Sequence, residues 1–384
     1  MISEEVFRNL FSSISGSIIT ATTMLVSITV LVFTVLSGQF GAHTLRVVKI
    51  KTFNKFVIGW GLGTYIYILT SVLISAFTDR YIPQITILFG IIFTFMTFLL
   101  LIIYLHVLLN QIQSESIIYS IYSETHSKIK ELREYTNEEQ KMDELFIKKY
   151  EKKGLPVVIE KSGYVQTIDK KKLIEIAKHY RCIIHVLYRS GKYLIQGIPS
   201  VLFYELQKAD IDLKESLNSC FTVGDQRIPV EDLEYNLEVL VEMTLRALSP
   251  GINDMYVAYH TIDNIMNVIA QITHKKFPDR VHFDREGQLR LIINEFTFSG
   301  FVDAALSPIR QNGKEHPGII LRMLDHLFSI IENTKIPDYQ IVLIEHVEAI
   351  LQSQEEIKHV DLDQKAINER RSHYQNLMAA YQSM

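Results

Sequence analysis

A stripe of small and hydroxyl-bearing side chains runs through the first forty-one residues of this 384-residue chain. Ser13, Ser17, Thr20, Met24, Ser27, Leu31, Thr34, Gly38 and Gly41 follow one another at alternating spacings of four and three. That rhythm puts them on one face of a helix. In an apolar helix such a face has two chemistries. Small residues let backbones approach, and hydroxyls bond the carbonyl one turn back or a neighbouring helix, which makes a packing seam. Alternatively, Ser13, Ser17, Thr20, Ser27 and Thr34 line a polar path for an ion or small solute, formed where copies of the helix gather in a homo-oligomer. Packing explains the spacing with fewer assumptions, and Thr22, Thr23 and Thr29 lie off the stripe under either reading.

Other residues invite similar weighing. Arg46, Lys49, Lys51 and Lys55 crowd one short segment that carries no acid. They are membrane-lipid headgroup contacts and topology determinants, or a cationic pore mouth that would favour anions. Glu234, Glu238 and Glu242 repeat one helical turn apart, with Arg246 a turn later. Glu242 and Arg246 suit a helix-surface ion pair. The row reads as a solvated or inter-subunit face, because a carboxylate metal site of the ferritin type adds a Glu-x-x-His motif that is absent here. In "RALSPGIND", Arg246, Ser249, Pro250, Gly251, Asn253 and Asp254 form a helical corner or a partner contact. Gly251 is expected to take the left-handed conformation that ends a helix, and Asn253 or Asp254 to cap the next one. His260 and Asp263 stand three residues apart and could share a ligand, though such a lone pair more often serves surface or core hydrogen bonding.

No phosphate loop, HExxH, Gly-x-Ser-x-Gly or zinc-type Cys/His set is present, so neither an enzyme nor a cofactor is expected. A formal net charge of −4, with no basic stripe, argues against a nucleic-acid partner. Two cysteines, Cys182 and Cys220, are too few for a disulfide scaffold.

The elements that must position these residues follow from charge. No charged residue lies between Arg8 and Arg46, between Lys55 and Asp79, or between Arg80 and Glu115. Each gap holds the roughly 20 residues that cross a hydrocarbon core. Spans are expected near residues 11–38, 56–78 and 82–110, within a transmembrane domain of residues 1–112. The cationic first loop belongs in the cytoplasm and the second, with only Asp79 and Arg80, outside. The remainder is then cytoplasmic. Residues 113–153 read as a charged helical stalk, 154–222 as a small α/β module, and 223–384 as a mainly helical domain. In the module, Asp169 caps a helix from Lys170 to His179, and a hairpin turns at Ser190-Gly191. A second hairpin turns at Glu286-Gly287. The fold class is a multi-span α-helical membrane domain followed by a cytoplasmic α+β region.

Three stretches in this order, "GSIIT…SITVLVFTVLSGQFG", "SGYVQTID" with "GKYLIQGIP", and "QRIPVEDLEYNLEVLVEMTLRALSPGIND", resemble the bacterial predicted-membrane-protein family called domain of unknown function 2254. The resemblance covers roughly Ser12 to Ile331 and implies a multi-span inner-membrane protein with a cytoplasmic domain. It implies no activity. Members usually follow "GIND" with Pro and an aromatic, where this chain has Met255 and Tyr256. Members also commonly begin with one more apolar helix, so an earlier span is expected to be missing here. The expected function is an oligomeric channel or small-solute conduit with a regulatory cytoplasmic domain. The rival is a membrane-anchored sensor or scaffold whose cytoplasmic domain binds a partner.

Overall fold

The structure is a computed structural model that describes residues 4–41, 52–77, 84–111, 113–135, 147, 150, 154–206, 211–228 and 232–382. It divides into two compact units, Met1–Ser120 and Ile121–Met384.

The first unit is built from α1 (Glu4–Phe40), α2 (Thr52–Phe77) and α3 (Gln84–Gln111). All three are long and apolar enough to cross a membrane. At about 1.5 Å per residue even α2 exceeds a hydrocarbon core of about 30 Å. Their shared interior alternates apolar and hydroxyl layers. Phe7, Phe11, Ile18 and Ile68 form one apolar cluster; Leu25, Val57, Leu100 and Tyr104 belong to another. Between them the Thr97 hydroxyl donates to Thr64 Oγ1 (3.1 Å), and Thr22 packs against Gly61, where a Cβ would lie 2.7 Å from Thr22 Oγ1. Deeper in the second cluster, the Thr29 and Tyr104 hydroxyls meet at 2.6 Å. Close backbone approach and interhelical hydroxyl bonds hold apolar helices together where no hydrophobic drive exists between them.

The second unit is α+β. It includes α4 (Ser114–Glu131) from Ile121 onward, then β1 (Leu155–Val158), β2 (Gly163–Ile168), α5 (Lys170–His179), β3 (Ile183–Val186), β4 (Tyr193–Leu194), β5 (Pro199–Tyr204), α6 (Ile211–Ser219) and β6 (Phe221–Gly224). After these come α7 (Tyr235–Ala247), α8 (Met255–Ile272), β7 (Val281–Phe283), β8 (Leu289–Ile293), α9 (Phe298–Gly313), α10 (Pro317–Asn333), α11 (Pro337–Ser353) and α12 (Asp361–Gln382). Local chemistry explains several boundaries. Asp169 accepts the Lys172 amide (3.0 Å) to start α5, and Pro at the first turn opens α10 and α11.

Three expectations change. The Ser190-Gly191 hairpin does not form, because β3 and β4 join different sheets: one ordered β1-β5-β3-β8-β7, the other β4-β2-β6. Every residue of β3 is buried, so it takes partners on both sides, antiparallel β5 and parallel β8. Gly191 instead carries the chain across, its amide donating to the Val165 carbonyl (2.8 Å). Nor does the α/β module stop at residue 222, since Leu291 and Ile293 of β8 lie in the same core as Val165, Leu173 and Ile184. The stalk helix ends at Glu131; Glu134 then bridges to Lys275, and residues 136–146 lie outside the described ones.

Candidate functional site

In α1 the predicted stripe faces outward. Ser13, Ser17, Thr20, Ser27 and Thr34 are all exposed, whereas Ser15, Ile18, Thr22, Leu25, Thr29 and Leu36 on the opposite face are buried. Four of the outward hydroxyls donate to the carbonyl one turn back: Ser17 to Ser13 (2.9 Å), Thr20 to Gly16 (2.8 Å), Ser27 to Thr23 (3.0 Å) and Thr34 to Val30 (2.9 Å). Their lone pairs still point outward as acceptors. The helix therefore has two hydroxyl faces, and the inward one, Ser15, Thr22 and Thr29 at heptad spacing, is the one that packs the unit. Of the basic loop, Arg46, Lys49 and Lys51 lie outside the described residues, and Lys55 is exposed on the first turn of α2.

The "RALSPGIND" corner forms with a different residue under strain. Gly251 is not left-handed; Asn253 is, at φ 47°. Its amide donates to the Ser249 carbonyl (2.8 Å), and the Asp254 amide reaches back to Ala247 (2.8 Å). Asp254 caps α8 by accepting the Val257 amide (3.1 Å). Asn suits the left-handed region because its short side chain tolerates it, which leaves Gly251 free of the task. Gly251→Ala should accordingly leave the melting temperature unchanged, since nothing lies within 4 Å of its Cβ position. Asn253→Val should lower stability by about 1–2 kcal/mol. A matched pair of thermal melts checks both.

The glutamate row is not uniform: the Glu238 and Glu242 side chains are 40% and 29% exposed, and only the first member leaves the solvent. Glu234 is buried and accepts from Arg189 (2.5 Å). Glu238 pairs with Arg227, and Glu242 with Arg246 (3.3 Å). Each carboxylate has its own arginine, and among the described residues no group of three potential ligands could hold a metal ion. His260 and Asp263 do not meet either. Asp263 accepts from Arg322 through both oxygens and from His326 (2.9 Å). Burial opposes its charge, but those hydrogen bonds outweigh it and hold the Asp263 carboxyl below its ordinary value.

One feature was not anticipated. A cleft of about 690 Å³ opens beside Arg189, Ser190, Ile293, Glu295 and Phe296, at the carboxyl ends of the parallel pair β3 and β8. Lys128 and Glu131 of α4, Asp169 at the cap of α5, Lys170 and Lys171 of α5, and Asp232 before α7 complete its charged lining. Behind it Asp232 takes the Arg227 guanidinium (2.8 Å) and the amides of Glu234 and Tyr235 (both 3.1 Å). Arg189 lies 4.1 Å over the Phe296 ring. Burial pushes the Asp232 and Glu234 carboxyls up against the pull of these arginines, and burial lowers Lys128. The crevice at the carboxyl ends of parallel strands is where open α/β sheets hold ligands. The sequence offers a signal in the polar pairs Arg189-Ser190 and Asn294-Glu295 that come shortly after two buried strands, but their meeting depends on the β3–β8 pairing.

The model of a family described as Predicted membrane protein (DUF2254) matches residues 1–328. Among curated proteins, Uncharacterized protein Rv1290c of Mycobacterium tuberculosis and Uncharacterized protein Mb1321c of Mycobacterium bovis are each 23% identical over 346 residues, covering 88% of this chain. The chain spans 66% of the length of these relatives, just under two thirds. No solved structure matches. With its three apolar helices ahead of an α+β unit, and a family match over most of its length, the chain belongs to the predicted membrane proteins of the DUF2254 family.

Proposed function

We propose that the protein is a homo-oligomeric conduit for an ion or small solute in the bacterial inner membrane, with the hydroxyl face of α1 turned toward the symmetry axis. The observation that carries this reading is where the hydroxyls sit. On the other exposed faces of the first unit stand Ile66, Phe95 and Ile102, as lipid requires, while α1 exposes Ser13, Ser17, Thr20, Ser27 and Thr34. A face directed at lipid gains nothing from five hydroxyls; a face directed at other copies, or at water between them, does. The cationic loop orients the assembly with the second unit in the cytoplasm. A reporter that matures only in the cytoplasm should then be active after Glu115 and inactive near Asp79.

Single cysteines test the face itself. At Ser13, Ser17, Thr20, Ser27 and Thr34 they should react with small charged thiol reagents, because the thiolate forms only where water solvates it. Cysteines at Ile66 and Ile102 should stay silent in lipid, and those at Ile18 and Leu25 silent in the protomer core. The native background is quiet: Cys182 and Cys220 are buried, and burial pushes both thiols up to about 11. If the stripe is silent and a bulky residue at Thr20 or Ser27 disperses the oligomer, α1 is a packing face. The anchored sensor or scaffold then replaces the conduit.

A further inference from the structure

We propose that the cleft at the carboxyl ends of β3 and β8 binds a small organic anion with an apolar body, an alkyl or aryl phosphate or carboxylate. At about 690 Å³ the cleft falls within the roughly 300–1,000 Å³ of small-molecule sites. Its lining divides by chemistry. Ile168, Leu233, Ile293 and Phe296 supply apolar surface, and cations enter from three separate elements: Lys128 from α4, Lys170 and Lys171 from α5, and Arg189 beyond β3.

Acids share the cleft, and their engagements decide which charge is left for a ligand. Asp232 is held by Arg227 and two amides. Glu295 is held by Lys170, and Asp169 accepts the Lys172 amide. Arg189 is matched by Glu234. Lys171 is exposed and makes no ion pair among the described residues. Half-buried Lys128 also lines the cleft, with Glu124, Asp232 and Glu131 acting on its charge, and the exposed acids Glu131 and Asp169 share the rim. The three lysines Lys170–Lys172 also occupy the first turn of α5, a position where a helix favours acids. Lys170 and Lys172 have partners in Glu295 and the Ser219 hydroxyl, which leaves Lys171 to an anion. An apolar body suits the cleft because apolar atoms make up the larger part of its exposed lining.

The test uses the full chain in phosphatidylcholine nanodiscs, with empty nanodiscs subtracted, titrated with octyl phosphate, octanol or inorganic phosphate. Octyl phosphate should raise the melting temperature and give a saturable heat of binding; octanol and phosphate should bind at least tenfold more weakly. Lys171→Glu should weaken octyl phosphate at least tenfold without changing the unliganded melting temperature. Lys171→Gln is the second variant should the reversal disturb folding, and Lys128→Met should weaken binding in the same direction. Repeating the titration in phosphatidylglycerol nanodiscs separates sources. A blunted response there means that an anionic membrane lipid already fills the cleft, and an equal response means a free anion is the ligand. The proposal is overturned if octyl phosphate does not bind, if octanol or phosphate matches it, or if both Lys171 variants bind as the wild type does. None of these outcomes depends on whether α1 lines a conduit.

Discussion

Arg189→Ala is expected to destabilise the second unit by about 3–5 kcal/mol, the usual cost of removing one partner from a buried ion pair. Glu234 has a side chain only 4% exposed, and Arg189 only 12%. With the guanidinium gone, the carboxylate stays in a low-dielectric setting that already pushes its pKa up by burial. The substitution also strips the arginine from the Phe296 ring. The informative control is Arg189→Met with Glu234→Leu. Replacing both partners by apolar residues of similar volume is often neutral or stabilising, so the double variant should melt well above the single one. Denaturant or thermal melts of the full chain read the difference. If single and double variants melt together, the loss comes from packing and not from a stranded charge.

Gly191→Ala should be nearly as damaging. Gly191 sits at φ +88°, and a Cβ there would fall 2.2 Å from Asp232 Oδ2. Alanine in the left-handed region costs about 1–2 kcal/mol. Displacing the carboxylate then disturbs its bonds to Arg227 and two amides, with about 1–3 kcal/mol at stake for a buried group left unsatisfied. Gly197→Ala isolates the first part. Gly197 has a matching φ of +85° with nothing within 4 Å of its Cβ position. The expected result is a clearly larger drop in melting temperature for Gly191→Ala, and equal drops would remove the contact with Asp232 from the account.

What was legible in the sequence is what local chemistry dictates. The Asp169 cap and the Glu286-Gly287 turn between β7 and β8 each act within a few residues. The three apolar helices follow from uncharged length alone. The charged cleft was hidden because its parts lie far apart in the chain: Arg189 finds Glu234 forty-five residues later, and Ile184 finds Leu291 across a parallel pairing with no local signature. The α1 stripe illustrates a subtler limit. Periodicity identified a hydroxyl face, but Ser15, Thr22 and Thr29 make a second one, and only packing against α2 and α3 decides which turns inward. At the corner, the sequence pointed to a glycine for a left-handed position that Asn253 fills.

The place of β8 in the sheet also sets the order in which the chain can fold as it leaves the ribosome. β3 ends at Val186, yet its parallel neighbour begins only at Leu289. At about 5–20 residues per second, synthesis of the intervening stretch takes on the order of 5–20 s. Throughout that interval β3, buried along its whole length in the finished unit, has one edge unpaired and open to strands of other nascent chains. A chain truncated between Gly224 and Leu289 keeps that edge permanently, and aggregation is the expected fate of such a fragment. Dissection of the second unit into smaller soluble pieces therefore has to retain residues through Ile293.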